Sequence, residues 1–231
     1  MKKICALLLC ICLLPLPIRA QGEEKLVALT FDDGPSGRFT RRLLEGLAQR
    51  DVYATFFLCG YRIEQYPELA KRICEAGHEI GLHGYSHNSM RDMCRRDAET
   101  EIKKTMQLMP EGYPVTFLRS PGGQCGKCVA PAAEQAGLAI LNWSVDPQDW
   151  ATTDPKIIEK RVLSQVRDGD VILLHDMYDS SVEAALAIVD QLRQRGFRFV
   201  TASELARLRN VTVTPGETYR RFPPPDPPDQ K

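Results

Sequence analysis

Carboxylates, imidazoles and one guanidinium recur in this sequence directly after short apolar segments. Asp32 and Asp33 follow the first such segment, and His83 and His87 follow the third. Three of the four histidines of the chain belong to this set. In chain order, the set is completed by Arg119, by Asp146, Asp149 and Trp150, and by His175 and Asp176.

These residue types complement one another in a hydrolytic site that contains a metal ion. Two neutral imidazoles and one carboxylate are a common ligand set for catalytic zinc and leave a coordination position for water. Such an ion lowers the pKa of water and polarises a carbonyl. A second carboxylate could take the proton of the water, and another histidine could protonate the leaving group. If the chain is extended at Asp32 and Asp33, their side chains diverge, so that one binds metal while the other stays free.

Each of these features also has an ordinary structural explanation. Asp32-Asp33-Gly34-Pro35 is good turn chemistry, because Asp and Gly tolerate turn conformations. The two central histidines could be a loop pair, and His175 could belong to the core. If all of these explanations were correct, unrelated residues of these types would have gathered at one edge of the fold by chance. A single functional site explains the same positions with one cause.

Seven short apolar segments alternate with helical patterns between residues 25 and 210, which predicts a parallel sheet with helical crossovers. The carboxyl ends of its strands share one edge, where active sites form in such folds. Periodicity leaves a barrel and a doubly wound sheet equally open. The predicted strands are Leu26–Thr30, Ala54–Leu58, Glu79–Leu82, Val115–Leu118, Ile140–Trp143, Val171–Leu174 and Arg198–Val200. The predicted helices are Phe39–Gln49, one from Pro67 to a stop at Gly77, Asp97–Met109, Val129–Gln135, Pro155–Val166, Val182–Arg195 and Ser203–Leu208.

Five motifs follow one another in these positions. They are Thr30-Phe31-Asp32-Asp33-Gly34-Pro35, the pair His83 and His87, Arg119-x-Pro121-x-Gly123, Asp146-x-x-Asp149-Trp150, and Leu173-x-His175. In these motifs, and over roughly residues 25–210, the sequence resembles the polysaccharide deacetylase family, also called the NodB-homology domain or carbohydrate esterase family 4. The resemblance implies an α/β fold, a distorted (β/α) barrel of about seven parallel strands that is related to the TIM barrel.

The resemblance also implies a metal centre with an acid and a base. It makes Asp33, His83 and His87 the metal ligands, with zinc as the expected divalent ion. Asp32 is then the expected catalytic base, and His175 is the expected general acid.

The same resemblance implies residues that support the acid and the base. Arg119 is expected to orient Asp32. Asp149 is expected to hold the imidazole of His175 and to favour its protonated form.

Contacts with the substrate are implied for four further residues. Pro121 and Gly122 are expected to lie against the substrate, with the backbone N–H of Gly122 helping to hold the oxyanion. Trp150 and Leu173 are expected to form the small apolar pocket for the acetyl methyl group.

The resemblance implies a deacetylase, a hydrolase acting on carbon–nitrogen bonds other than peptide bonds. Its expected partner is an N-acetylglucosamine polymer, either peptidoglycan or a chitin-like glycan. One alternative is an esterase that removes O-acetyl groups from acetylated xylan, because the same metal and base serve both reactions. Another is a non-catalytic protein that binds cell-wall glycan. A monomer is expected.

The two ends of the chain differ in composition from the 21–212 domain. Lys2 and Lys3, an apolar run and Ala20 predict a signal peptide at residues 1–20 and an exported or cell-envelope protein. The run is too short and too interrupted by proline to predict a retained membrane span. Residues 213–231 are rich in proline and predict a disordered tail.

The charge and the cysteine content of the chain further limit the functions that it could have. Without residues 1–20 the chain has 27 basic and 30 acidic residues, so that the basic excess typical of nucleic-acid binding is absent. Eight cysteines fall to five in the mature chain, an odd number whose pairing the sequence leaves open. The five are Cys59, Cys74, Cys94, Cys125 and Cys128.

Overall fold

The computed structural model describes residues 24–225, so that the predicted signal peptide and the last residues of the predicted tail lie outside the described part. All seven predicted strands are present, together with an eighth. The strands are β1 (Lys25–Gly34), β2 (Thr55–Leu58), β3 (Glu79–Leu82), β4 (Phe117–Leu118), β5 (Ala139–Leu141), β6 (Asp170–His175), β7 (Phe197–Val200) and β8 (Thr218–Tyr219). The helices are α1 (Arg38–Ala48), α2 (Gly60–Gln65), α3 (Pro67–Glu75), α4 (Arg95–Met106), α5 (Val129–Gln135), α6 (Pro155–Gln165), α7 (Asp179–Gln194) and α8 (Ala202–Leu208).

The strands form one parallel sheet that curls into a distorted barrel. Its order is β6-β1-β2-β3-β4-β5-β8, and β7 pairs with the first residues of β1. The sheet returns on itself after β5, where Val145 forms a parallel bridge with Ile172 of β6. The backbone N–H of Leu173 donates to the carbonyl of Val145 across this junction at 3.0 Å. The structure therefore resolves the choice between the two closures in favour of the barrel.

Side chains of β1 alternate between two hydrophobic layers. Val27, Leu29 and Phe31 pack in the large core beneath the helices, whereas Leu26 and Ala28 face the interior of the barrel. Because successive side chains of a strand point to opposite faces, Thr30 and Asp32 continue the interior row. Asp32 therefore ends a row of buried side chains.

The predicted boundaries differ from the structure at two functional positions. Asp32 and Asp33 lie within β1, which continues to Gly34, and His175 is the last residue of β6. Helix α2 was not predicted, because its six residues are too few to show a helical period and Cys59 at its start provides no side-chain cap.

The tail predicted to be disordered from residue 213 is ordered in its first half, so that this prediction is wrong there. Strand β8 pairs with β5, and Phe222 is 1 % exposed and stacks on Tyr219 with ring centroids 5.5 Å apart. The backbone N–H of Phe222 donates to the carbonyl of Gly169, just before β6, at 2.8 Å. Phe222 packs in the interior cluster of the barrel, next to the residue that precedes β6, and this packing orders the segment. The proline-rich stretch begins only after Phe222.

Candidate active site

The carboxyl ends of the strands surround a cleft of about 380 Å³. Among the residues of the predicted set and motifs, those that line it are Asp32, Asp33, His83, His87, Gly122, Asp146, Trp150, Leu173 and His175. Arg119 and Asp149 are buried behind this lining, and Pro121 is buried without lining the cleft. Trp143 and Tyr178 also line it and were not predicted, although each stands within three residues of the end of a strand, a position that could have identified them.

Asp33, His83 and His87 form a candidate metal site. Oδ1 of Asp33 lies 3.2 Å from Nε2 of His83 and 2.9 Å from Nε2 of His87. The three donor atoms all lie within 4.8 Å of one another. Donors bound at about 2.0–2.1 Å to one zinc ion are separated by about 3 Å, so that the observed spacing fits a shared ion.

The environment of Asp33 also fits a metal ligand. Its Oδ1 is buried, lies close to the Nε2 atoms of His83 and His87, and accepts no other hydrogen bond among residues 24–225, which suits an oxygen whose partner is an ion. Burial raises the pKa of the Asp33 carboxyl, but the imidazoles of His83 and His87 outweigh burial and hold that pKa well below its usual range. The carboxylate is therefore ionised and ready to bind a cation.

A backbone contact orients the imidazole of His83. Its Nδ1 lies 2.8 Å from the carbonyl oxygen of Arg119, and a carbonyl oxygen can only accept a hydrogen bond. In the neutral form of the ring, Nδ1 therefore carries the proton, which leaves Nε2 free to bind a metal ion. This is the usual arrangement of a histidine that binds a metal through Nε2.

The loop that carries His87 is fixed to helix α4 by Glu101. Oε2 of Glu101 accepts the backbone N–H of Tyr85 at 2.7 Å and of Ser86 at 2.9 Å, and Oε1 accepts the Ser86 hydroxyl at 2.9 Å. These bonds hold a loop in which His87 has φ 61°, a left-handed conformation unusual for histidine. Sequence analysis missed Glu101, because nothing in the sequence distinguishes it from the other acids of this helix.

The two adjacent aspartates face the same centre, contrary to the extended geometry considered from the sequence. Asp33 has φ 72°, and the pairing of β1 with β2 shifts register between Asp32 and Gly34. The left-handed residue turns the carboxylate of Asp33 toward the side of Asp32. Oδ2 of Asp32 consequently lies 3.8 Å from Nε2 of His83, which is also next to Asp33.

Asp32 is held against a fully buried arginine. Nη1 of Arg119 donates to Oδ1 of Asp32 at 2.6 Å, while both side chains are almost completely buried. Arg119 cannot swing away, because its other N–H groups are also bonded. Their acceptors are the Thr30 hydroxyl and the carbonyls of Leu141 and Asn142. Oδ1 is thereby fixed, and Oδ2 is the oxygen left near the metal ligands.

His175 ends β6 next to Asp32 in the pairing of β6 with β1, and its imidazole lies beside Asp149. Its Nδ1 lies 2.7 Å from Oδ1 of Asp149, whose Oδ2 accepts the backbone N–H of His175 and the hydroxyl of Ser181. Burial lowers the pKa of the His175 imidazole, but the hydrogen bond and charge of Asp149 outweigh burial and raise the pKa to about 9. The ring is therefore a protonated acid at neutral pH.

Asp176 packs against Gly34, the residue that follows Asp32 and Asp33. A Cβ on Gly34 would lie 2.7 Å from its Oδ1, so that only glycine fits above this carboxyl. The hydroxyl of Thr40 donates to Oδ2. Burial raises the pKa of the Asp176 carboxyl to about 7, and the negative charge of Asp33 adds to this effect. Asp176 thus joins the end of β6 to the turn that follows β1.

The remaining predicted contacts form an open wall of the cleft. Leu173 is buried, whereas Trp150 is 60 % exposed. Gly122 has φ 67° and no heavy atom within 4 Å of a Cβ placed on it, so that its backbone borders open space. An apolar wall of this kind suits a small acyl group.

The five cysteines within residues 24–225 are free thiols. Cys59 is buried at the carboxyl end of β2, where burial and the negative charges of Asp33 and Asp32 raise the pKa of its thiol. It is therefore an inert core thiol. Within the same range, no helix is long and apolar enough to cross a membrane.

Comparisons with known proteins relate the chain to one family. The family model described as "Polysaccharide deacetylase" matches residues 19–141. A peptidoglycan-N-acetylglucosamine deacetylase of Bacillus cereus is 37 % identical over 196 residues, which cover 82 % of this chain and 92 % of that protein.

Other relatives extend beyond the matched domain. The peptidoglycan-N-acetylmuramic acid deacetylase of Bacillus subtilis is 34 % identical over 198 residues, which cover 85 % of this chain but 42 % of that protein. The chain thus spans about two-fifths of the length of the curated relatives that head this comparison.

The fold agrees with solved structures of the same group. A family 4 acetyl xylan esterase from Clostridium thermocellum, in complex with a cobalt ion, has a TM-score of 0.81 and 32 % identity. The likeness covers 86 % of this chain and 100 % of that one.

Proposed function

This chain belongs to the polysaccharide deacetylase family, and from that premise we propose that it is a metal-dependent hydrolase that removes acetyl groups from an N-acetylated cell-wall glycan. The observation that carries the proposal is the convergence of Asp33, His83 and His87 at one point of a solvent-accessible cleft that the carboxylate of Asp32 and the imidazole of His175 also line.

Asp33, His83 and His87 are the proposed metal ligands. When bound, a divalent ion polarises the acetyl carbonyl and makes water a stronger acid. Asp33 would contribute one carboxylate oxygen to the ion, and His83 and His87 would contribute two imidazole nitrogens, while the cleft gives water and substrate access to these residues. Zinc is the expected ion, because this donor set suits it.

Asp32 is the proposed base. Its Oδ1 is held by Arg119, whereas its Oδ2 lies next to the ligand nitrogen of His83. A carboxylate in this position can take the proton of the attacking water without binding the ion itself. Arg119 acts as a positioning residue, because it fixes the direction of the remaining lone pairs of Asp32.

His175 is the proposed acid. Its Nδ1 is occupied by Asp149, so that Nε2 is the atom that can give a proton to the nitrogen of the leaving sugar amine. Asp149 keeps the imidazole charged before the transfer, because it raises the pKa of the ring to about 9. Proton uptake is thus assigned to Asp32 and proton release to His175, two residues that line the same cleft.

The substrate acetyl group is proposed to lie between these two residues. The backbone N–H of Gly122 borders the cleft and can stabilise negative charge on the acetyl oxygen. Leu173 and Trp150 provide the apolar wall for the methyl group.

We also propose that the protein acts outside the cytoplasm. The curated relatives are named as peptidoglycan deacetylases, and the first twenty residues have the composition of a cleaved export signal. Expression of the full chain with its leader should therefore give an exported product that begins at Gln21. A product that retains Met1 in the cytoplasm would contradict this.

Removal of O-acetyl groups from xylan is the second candidate activity. It is favoured by the likeness to the acetyl xylan esterase, and the same base and metal ligands would serve an ester as well as an amide. The two candidates share every residue of the proposed site and differ in the polymer that fits the cleft.

An acetate-release panel tests the proposal. Zinc-loaded protein is incubated with peptidoglycan, N-acetylglucosamine oligomers and acetylated xylan, with a chelator-treated sample as the matched control. We expect acetate from the N-acetylated glycans, loss of activity after chelation and recovery when zinc or cobalt is returned. Acetate from xylan alone would favour the esterase, and no acetate from any metal-loaded sample would overturn the hydrolase proposal.

A further inference from the structure

Asn142 is a buried polar residue without a role in the mechanism described so far. It directly follows β5 and is 4 % exposed. The residue before it, Leu141, packs in the interior hydrophobic cluster of the barrel. Burial of an amide side chain costs free energy unless its polar atoms are hydrogen-bonded. The contacts of Asn142 must therefore explain why an asparagine stands at this position.

Three hydrogen bonds join Asn142 to three separate parts of the structure. Its backbone N–H donates to the carbonyl of Tyr219 in β8 at 2.9 Å, which fixes the main chain at the end of β5. Its backbone carbonyl accepts a hydrogen bond from Nη2 of Arg119 at 3.1 Å. Its side-chain Nδ2 donates to the carbonyl of Gly123 at 3.2 Å. Asn142 thus contacts both the arginine that holds Asp32 and the glycine turn that follows β4.

The turn Pro121–Gly123 depends on outside support because of its composition. Gly122 and Gly123 have φ of 67° and 69°, and glycine alone does not favour this backbone conformation over others. Within the turn, the backbone N–H of Gly123 donates to the carbonyl of Ser120 at 2.8 Å. The ring of Trp143 packs so closely on Gly123 that a Cβ there would lie 2.7 Å from it. The position of Gly122 therefore follows from contacts that its neighbour Gly123 makes.

The amide of Asn142 serves the turn at some cost to the fold. Its Oδ1 is buried and accepts no hydrogen bond from residues 24–225. A buried acceptor without a donor lowers stability, and a leucine of similar size would avoid this cost. What asparagine adds over leucine at this position is the bond from Nδ2 to Gly123. This bond favours a role in placing the turn over a role in stabilising the barrel.

We propose that Asn142 is a positioning residue that keeps the Gly122 turn in a fixed relation to Asp32. Its carbonyl and that of Leu141 hold Arg119, whereas its side chain holds the turn. The proposal rests on the proposed function, because Gly122 affects the reaction only if its N–H stabilises the acetyl oxygen. Attack by water and the growth of negative charge on that oxygen belong to one step, so that base and turn must be aligned with each other.

Two substitutions remove the contact between Asn142 and the turn. Asn142→Leu keeps the size of the side chain without its donor, and Asn142→Ala is a smaller replacement that does not crowd the core. Both leave the backbone bonds to Arg119 and Tyr219 available. His78→Leu is the matched control. His78 is also buried, accepts one hydrogen bond from the backbone N–H of Ala54 at 3.1 Å, and directly precedes β3 at the other end of the strands.

Zinc-loaded proteins are compared by acetate release from the N-acetylglucosamine tetramer and by amide hydrogen exchange. We expect kcat to fall about tenfold in both Asn142 variants and KM to change by less than about twofold, because the oxyanion is stabilised in the transition state. Segment 119–124 should exchange its amide hydrogens faster, because the turn opens more easily. The melting temperature of Asn142→Leu should stay within about 4 °C of the parent, because a hydrogen bond and a buried oxygen without a protein donor are lost together.

His78→Leu should leave kcat and the exchange of segment 119–124 unchanged, although it also removes a buried hydrogen bond. A fall in kcat as large as that of Asn142→Leu in this control would overturn the proposal, because it would show a general effect of lost stability. Unchanged exchange of the segment in both Asn142 variants would overturn it as well, and so would faster exchange with an unchanged kcat.

Amide exchange requires no turnover, so that its outcome is separate from that of the acetate-release panel. Faster exchange of segment 119–124 in the Asn142 variants alone, combined with no acetate release by the wild-type protein in the panel, would support the positioning of the turn and reject the hydrolase.

Discussion

At the end of β1 a carboxylate faces an arginine, and at the end of the neighbouring β6 an imidazole faces a carboxylate. Asp32 accepts a hydrogen bond from Arg119 at 2.6 Å, and Nδ1 of His175 lies 2.7 Å from Asp149. Each reacting group is held by a charge of the opposite sign. The first pair therefore leaves a carboxylate able to accept a proton, and the second leaves an imidazolium able to donate one. The difference explains how two titratable groups near one substrate can take opposite proton roles.

The two pairs also differ in what holds them. Arg119 is fully buried in the barrel, with acceptors on β1 and at the end of β5. His175 retains some exposure, and Asp149 is fixed by a short helical turn and by Ser181 of α7. The base is thus part of the barrel core, whereas the acid is held at its rim. Damage to the first pair should affect folding and activity together, and damage to the second should affect activity more than folding.

Replacement of Arg119 by methionine should have the largest effect. The buried Asp32 would lose its cation, and we expect the free energy of unfolding to fall by about 3–5 kcal/mol, as measured by urea denaturation. Acetate release should fall by about 100-fold or more, because Asp32 would no longer be oriented.

The double variant Asp32→Asn with Arg119→Met is the control for this effect. It removes the buried charge, and it should therefore recover part of the stability lost in Arg119→Met. Equal instability of the two variants would show that Arg119 stabilises the barrel by packing rather than through its charge.

Replacement of Asp149 by asparagine should lower kcat by about 100-fold and change its pH dependence. His175 must be protonated to act, and Asp149 raises its pKa to about 9, so that activity of the parent should decline above that pH. The variant loses the hydrogen bond and the charge of Asp149 that raise the pKa of His175, so that the decline should begin at a lower pH. Unaltered alkaline limbs in the two pH–rate profiles would contradict the proposed role of Asp149.

Protonation of His175 also affects the stability of the folded protein. The folded pKa of His175 lies above its ordinary value of 6.5, so that protonation favours the folded state. This contribution is complete below about pH 6.5 and is lost as the pH rises toward about 9. Denaturation of the parent at several pH values should show the loss, whereas Asp149→Asn should show little of it.

Replacement of Ser181 by alanine should have the smallest effect. It removes one hydrogen bond, of 2.6 Å, to Asp149 but leaves the contact between Asp149 and His175 in place. We expect a fall in kcat of about three- to tenfold and a stability loss of about 1 kcal/mol. An effect as large as that of Asp149→Asn would show that Ser181, rather than the backbone of His175, positions this carboxylate.

Much of the fold follows from local patterns in the sequence. The apolar segments identified the seven strands, and the side-chain alternation of β1 accounts for the position of Asp32 at the end of the interior row. The positions of the chemical residues after the strands were enough to bring most of them to one cleft, because parallel strands share a carboxyl edge.

The features that were not predicted depend on contacts between distant residues. Asp33 has its left-handed conformation within a shifted strand pairing, and no residue pattern reports such a shift. Glu101 supports the His87 loop from a helix, and its role follows only from tertiary contact. Phe222 is ordered because it covers the end of the barrel, although the prolines that follow it suggest disorder.

The most direct test is to measure metal content and acetate release on the same preparations of the wild-type protein, Asp32→Asn and His83→Ala. The account predicts a stoichiometric amount of zinc in the wild type and in Asp32→Asn, with acetate release lower by about 1,000-fold in the latter. It predicts that His83→Ala loses both metal and activity. Normal turnover by Asp32→Asn, or full metal content in His83→Ala, would contradict it.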